Sequence, residues 1–136
     1  MRVIICGDRK WTDKEKMEQV IFELFMKYDE LIIIQGEAQG ADLMAKSIAI
    51  NRNFEHEDYK AQWHYYGRSA GPIRNKLMIT EGKPNLVIAF HNNIENSKGT
   101  KDMIRQAIKN SIKHILITSS IQENEIANMF PVFNCT

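Results

Sequence analysis

The run Ile32-Ile33-Ile34-Gln35 constrains this chain more than any other stretch. It ends in Gly36-Glu37-Ala38-Gln39-Gly40 and opens directly into a helical pattern over residues 41–51. A β-branched run with no polar alternation reads as a strand buried on both faces, which is the habit of parallel sheets. A strand, a glycine turn and a helix N-terminus leave backbone N–H groups free to face a ligand. Asp42, in the first helical turn, suits the positive end of the helix dipole or a bound hydroxyl.

The same arrangement recurs along the chain. Residues 3–6 form a short apolar run closed by Gly7-Asp8-Arg9. Residues 86–90 form another, ending at His91, and residues 112–117 form a last one. Residues 54–59 make a shorter, more polar strand suited to a sheet edge. Between them lie helical patterns. Thr12 with Glu15 forms a capping box ahead of a helix to Tyr28, with Met17, Val20, Ile21, Leu24 and Phe25 on one stripe. Leu43, Met44, Ser47, Ile48 and Ala49 surround the packed face of the second helix. Gly71-Pro72 starts a helix with an Ile73, Leu77, Met78 stripe. Lys98-Gly99-Thr100 leads into one carrying Met103, Ile104, Ala107 and Ile108. Residues 60–70 read as the longest irregular segment.

Strands alternating with helices of this length predict βαβ units with right-handed crossovers. The fold expected is α/β, a doubly wound, Rossmann-like parallel sheet in the order 3-2-1-4-5 with helices on both faces. Residues 1–118 would form that domain. Residues 119–136, with a helical pattern at 121–129 and Pro131-Val132-Phe133 beyond it, would be an extension packing on the domain or on a neighbouring subunit. A homo-oligomer is accordingly expected.

At 136 residues with 43% hydrophobic and 26% charged side chains, one domain with a real core is the expectation. A net charge of +1 offers no general attraction to nucleic acid or to an anionic membrane. Cationic side chains nevertheless collect near loop ends, at Arg9, Lys10, Arg68, Arg74, Lys98 and Lys101. Cys6 and Cys135 sit at opposite ends, with no Cys/His cluster to suggest zinc. No apolar run approaches the roughly 18 residues of a membrane span, and the first residues enter a strand directly. A cytoplasmic protein without metal or cofactor is the expectation.

Ligands of such sheets bind outside the carboxyl ends of the strands, at the switch between the first and fourth. The loops predicted there carry Gly7, Asp8, Arg9 and Trp11; Gly36, Glu37, Gly40 and Asp42; Trp63, Arg68, Arg74 and Asn75; and His91, Ser97, Lys98, Gly99 and Thr100. Guanidinium groups, glycine turns and a hydroxyl at a helix N-terminus suit a phosphate. Aromatic rings suit a base or sugar face. Each also has a structural reading: glycines for tight turns, tryptophans for the core, His91 as a hydrogen-bonded strand end, and Arg74 as a partner for Glu37 or Asp42. GxGxxG, the Walker lysine pattern and GxSxG are all missing, which argues against dinucleotide reduction and serine hydrolysis.

Gly7-Asp8-Arg9-Lys10-Trp11, Gly36-Glu37-Ala38-Gln39-Gly40-Ala41-Asp42, Gly67-Arg68-Ser69-Ala70-Gly71-Pro72-Ile73-Arg74-Asn75 and Ser97-Lys98-Gly99-Thr100 occur in this order. Together they resemble the YspA-like proteins of the SLOG superfamily, named for the DprA (Smf) and LOG proteins. The resemblance covers residues 2–117. It implies a Rossmann-like domain that binds nucleotides or nucleotide-derived ligands, in a sensing or immunity-related setting.

The leading expectation is a protein that senses or sequesters a phosphorylated, nucleotide-like small molecule. Gly99 and Thr100 would hold phosphate, Arg74, Arg9 and Lys98 would neutralise it, Asp42 or Glu37 would accept from ribose hydroxyls, and Trp63 or Trp11 would cover the base. An alternative is a nucleotide N-glycosidase. The related LOG phosphoribohydrolases carry GTxxE, but here Met103 stands at the glutamate position. Asp102, one residue earlier, is rotated by about 100° around the helix. Glu37 or Asp42 would then have to supply the carboxylate that an oxocarbenium-like transition state requires. A third reading is single-stranded nucleic acid binding, against which the near-neutral charge weighs.

Overall fold

A computed structural model describes residues 1–132, so Phe133 and Cys135 lie outside the described residues. Five strands form one all-parallel sheet: β1 Arg2–Gly7, β2 Ile32–Gln35, β3 Glu55–Asp58, β4 Leu86–Phe90 and β5 Lys113–Ile117. Their order is β3-β2-β1-β4-β5, as the alternating pattern predicts. The central pair runs in register from Val3 beside Leu86 to Gly7 beside Phe90, which brings the carboxyl ends of β1 and β4 together at the switch.

The unbroken apolar runs are explained by two cores. Val3 and Ile5 of β1, with Leu86, Ile88 and Phe90 of β4, face helices α1 (Lys14–Tyr28) and α2 (Ala41–Asn51). The alternate residues Ile4, Cys6, Val87 and Ala89 face α4 (Ala70–Thr80) and α5 (Lys98–Lys109). Successive strand side chains point to opposite faces, so a strand covered on both sides needs apolar residues throughout. Each such Val, Leu, Ile or Phe side chain contributes about 1.5–3 kcal/mol by leaving water.

Several details depart from the sequence reading. The N-cap of α1 is Asp13, whose Oδ1 accepts from the Lys16 N–H at 3.0 Å, while Thr12 is exposed. Asp13 reaches the third amide of the helix, the geometry a cap requires. Leu77, expected on the inner stripe of α4, is 40% exposed, and the helix instead buries Ala70, Gly71, Asn75, Met78 and Ile79. Phe25, Leu43 and Ile108 also turn outward, and Ala45 takes the inner place on α2. The segment read as irregular holds a one-turn helix, α3 (Trp63–Tyr66), and a 3-10 turn over Gly67–Ser69. α3 buries no residue, so it has no apolar period to announce it.

Beyond β5, α6 (Glu123–Ile126) and a following 3-10 turn return across α1. Ile126 and Phe130 are buried in the same core as α1, and Lys27 Nζ donates to the Phe130 carbonyl at 3.0 Å. Lys16 Nζ and the Tyr28 hydroxyl donate to the carbonyls of Ile121 and Pro131. Among the described residues no helix is long and apolar enough to cross a membrane.

Candidate functional site

Backbone bonds knit the loops after β1, β2 and β4 into one rim. The Asp8 N–H donates to the Phe90 carbonyl at 2.9 Å, and the Asp8 carbonyl accepts from the amides of Trp11 and Ala41, each at 3.1 Å. Gly40 permits that join: its φ is +80°, and a Cβ there would lie 2.2 Å from the Asp8 carbonyl oxygen. Between this rim and the N-terminus of α5 lies a cleft of about 370 Å³.

Buried polar groups hold the cleft in shape. Asp42 is 5% exposed, and its Oδ2 accepts from the amides of Gly36 at 3.1 Å and Ala38 at 3.3 Å. Burial pushes its carboxyl up to about 6, against the pull of Arg74, of those two amides and of Arg9. Arg74 reaches from α4 to donate from Nη1 to the Gly36 carbonyl at 2.6 Å and from Nε to Asn75 Oδ1 at 3.0 Å. A Cβ on Gly36 would meet that guanidinium at 2.5 Å, so the missing side chain makes the seat for Arg74. Burial draws the pKa of Arg74 down, opposed by the negative field of Asp42. Burial likewise pushes the Cys6 thiol of the floor up, aided by Asp42, so it stays protonated.

Asn75 links this wall to the opposite one. Its Nδ2 donates to the Gly99 carbonyl at 3.3 Å and to Asp102 Oδ2 at 3.0 Å, which also accepts from Gln106 at 2.8 Å. Asp102 is thereby turned toward α4, as its rotation on the helix implies, while Met103 lies on the cleft floor.

The open end of α5 faces the same space. Ser97 is its N-cap, accepting from the Thr100 N–H at 3.1 Å, which leaves the preceding amides without intrahelical partners. A Cβ on Gly99 would meet nothing within 4 Å, so this backbone is open to close approach. His91, 6% exposed, accepts the Asn93 N–H at its Nδ1 at 2.9 Å. The neutral ring then carries its proton on Nε2, which faces Asp8 Oδ2 at 3.9 Å.

Of the residues singled out from sequence, Gly7, Asp8, Arg9, Asp42, Arg74, Asn75, His91, Ser97, Lys98, Gly99 and Thr100 line this cleft. Gly36, Glu37 and Trp63 line an adjoining one. Gly40 lines neither and serves the loop join. Trp11, expected as a stacking surface, is 5% exposed and packs edge-on against Phe90 in the core, its indole N–H donating to the Asp13 carbonyl. Arg68 is exposed in the 3-10 turn and lines neither cleft. Glu37, considered as a carboxylate for catalysis, is ion-paired with Lys46, which also pairs with Asp58 at 3.1 Å. Asp42, the other candidate, is occupied by the two turn amides. Lys10, named in the sequence among the cations near loop ends, also lines the cleft, and Asn96 joins it from the loop after β4 without a sequence signal of its own. Cys6 of β1, Met78 of the α4 stripe and Met103 of the α5 stripe form the apolar floor of the cleft.

Residues 1–66 match the YAcAr family, described as the YspA, cpYpsA-related SLOG family. The Gene 61 protein of Mycobacterium phage D29 is 32% identical over 117 residues, spanning 82% of this chain and 91% of that protein. Among solved structures, the DNA processing protein A (DprA) of Streptococcus pneumoniae is similar with a TM-score of 0.68 at 17% identity. That match covers 94% of this chain and 54% of DprA, so the chain spans about half of that structure and shares its fold. The extent and identity of the phage relative, with the matched family, show that the chain belongs to the YspA-related SLOG family.

Proposed function

We propose that the protein binds a phosphorylated, nucleotide-like small molecule in the cleft between β1, β4 and α5, as a sensor or sequestering protein. Membership of the SLOG family and a DprA-like fold point to nucleotide-related or nucleic-acid-related binding in general. The narrower reading rests on one observation. The uncovered N-terminus of α5 opens onto Arg9, Arg74 and Lys98, and among the described residues none of these three has a carboxylate in ion-pair contact. Guanidinium groups that no carboxylate holds in an ion pair, set around open amides, form a seat for a phosphate dianion. Next to it, Asp8 accepts and His91 Nε2–H donates, a pair suited to ribose hydroxyls.

Calorimetry with AMP tests this, using Gly99→Asp. An acidic residue in the first turn favours the helix, so the variant folds, yet it places a negative charge where the phosphate would sit. AMP affinity should fall by at least about tenfold, the scale of one lost charge-assisted hydrogen bond. Equal binding by the variant and the parent would refute the seat.

A second reading, hydrolysis of the N-glycosidic bond, is favoured by a single feature. Asp8 is the cleft carboxylate outside the buried networks, and Oδ2 faces the His91 proton. Incubating AMP with the protein and looking for free adenine by chromatography decides it, with intact AMP eliminating that reading.

A further inference from the structure

The cleft does not end at Arg74. On the other side of that guanidinium lies a second cleft of about 360 Å³, nearly the volume of the first, and the two share Arg9, Ala38 and Arg74. Two comparable chambers meeting at two cations suit a ligand with two lobes and an anionic bridge.

We infer that the ligand is a dinucleotide-type molecule, with two ring-bearing groups in the two clefts joined by a phosphate bridge over Arg9 and Arg74. The inference rests on the nucleotide reading of the first cleft and adds a second ring subsite to it. The bridge position is built rather than incidental. Arg74 is held by the Gly36 carbonyl and by Asn75, and its seat exists because Gly36 has no side chain. Arg9 reaches the same boundary from the β1 loop, with its guanidinium carbon 6.0 Å from the centre of the Trp63 ring.

Trp63 supplies the surface for the second ring. It is 49% exposed, and its ring edge rests near the α4 backbone, where a Cβ on Gly71 would meet it at 3.5 Å. A large aromatic ring left half in water at a cleft wall, beside a cation, has the chemistry that stacks a base. Lys60 lines the same chamber. Glu37, with its charge taken up by Lys46, forms a polar rather than strongly repelling edge. A mononucleotide leaves one of these two chambers unfilled.

The test is calorimetry on the full chain with AMP, ADP and diadenosine diphosphate, and with their guanosine counterparts. ADP controls for the added phosphate charge. Diadenosine diphosphate, or its guanosine counterpart, should bind at least about tenfold more tightly than the matching diphosphate, the scale of one stacked base. Trp63→Ala should remove that gain, so that the two-lobed ligand then binds no more tightly than ADP. Trp63 emission should be quenched by the two-lobed ligand and not by ADP. Trp11 is buried against Phe90, so its emission serves as an internal reference. Equal affinity for the two-lobed ligand and ADP, or equal loss of both in Trp63→Ala, overturns the second subsite and leaves the nucleotide reading standing. Binding of none of the six overturns both.

Discussion

Replacing Asp42 with asparagine isolates what a buried carboxylate costs this fold. Asp42 is almost fully buried, and a single oxygen, Oδ2, takes both turn amides. Desolvation moves its pKa from an ordinary 3.8 to about 6, with Arg74 the largest opposing influence. A folded-state pKa above the unfolded one means that the fold favours the protonated form. This contribution to stability is therefore fully present below the unfolded value and lost as pH rises through the folded one. The interval between 3.8 and about 6 corresponds to on the order of 3 kcal/mol at 1.36 kcal/mol per pH unit. Asparagine keeps an oxygen for the two amides and carries no charge. The assay is urea unfolding of parent and variant from about pH 4.5 to 7.5, taking the difference between them so that other carboxylates cancel. Relative to the parent, Asp42→Asn should gain stability as pH rises across that window. A difference that stays constant with pH would refute the account, because Asp42 would then titrate as it does in the unfolded chain.

Two further outcomes follow from packing. Gly40→Ala should cost at least about 1–3 kcal/mol in urea unfolding, because φ is +80° and the new Cβ meets backbone atoms of Asp8 and Arg9 that have no room to yield. A variant as stable as the parent would show that the loop join is not rigid. Ile126→Ala should cost about 2–5 kcal/mol if the segment beyond β5 shares the α1 core, since its side chain is fully buried there. A loss within about 0.5 kcal/mol, the range of surface changes, would mean that the extension is peripheral.

Much of the architecture is legible because its signals are local. Ile32, Ile33 and Ile34 are β-branched without alternation, a pattern that makes sense only for a strand covered on both faces, and strand–helix alternation then leaves few topologies. The candidate cleft is legible for a related reason. In such a sheet the strand ends at the switch converge, so Asp8, Arg74, His91 and Gly99, far apart in the chain, were expected on one edge and share a cleft. Helix rotation is less legible. On α4 the sequence pattern puts Leu77 on the inner stripe, whereas the fold turns Leu77 outward and buries Ile79, two positions on.

The sequence by itself determined the parallel sheet, its order and the edge where the glycine-rich loops gather, because period and punctuation are properties of adjacent residues. Only the tertiary structure decided the role of each side chain. Two tryptophans on two loops looked alike as stacking surfaces. Phe90 and the start of α1 enclose Trp11 in the core, while Trp63 stands half in water beside Arg9. Asp42 looked free for a sugar hydroxyl or for catalysis, and the fold turns its carboxylate onto the amides of Gly36 and Ala38. The physical reason is the same in both cases. A side chain's partners are set by the register of strands and the rotation of helices that pack from elsewhere in the chain, and no window of neighbouring residues encodes either.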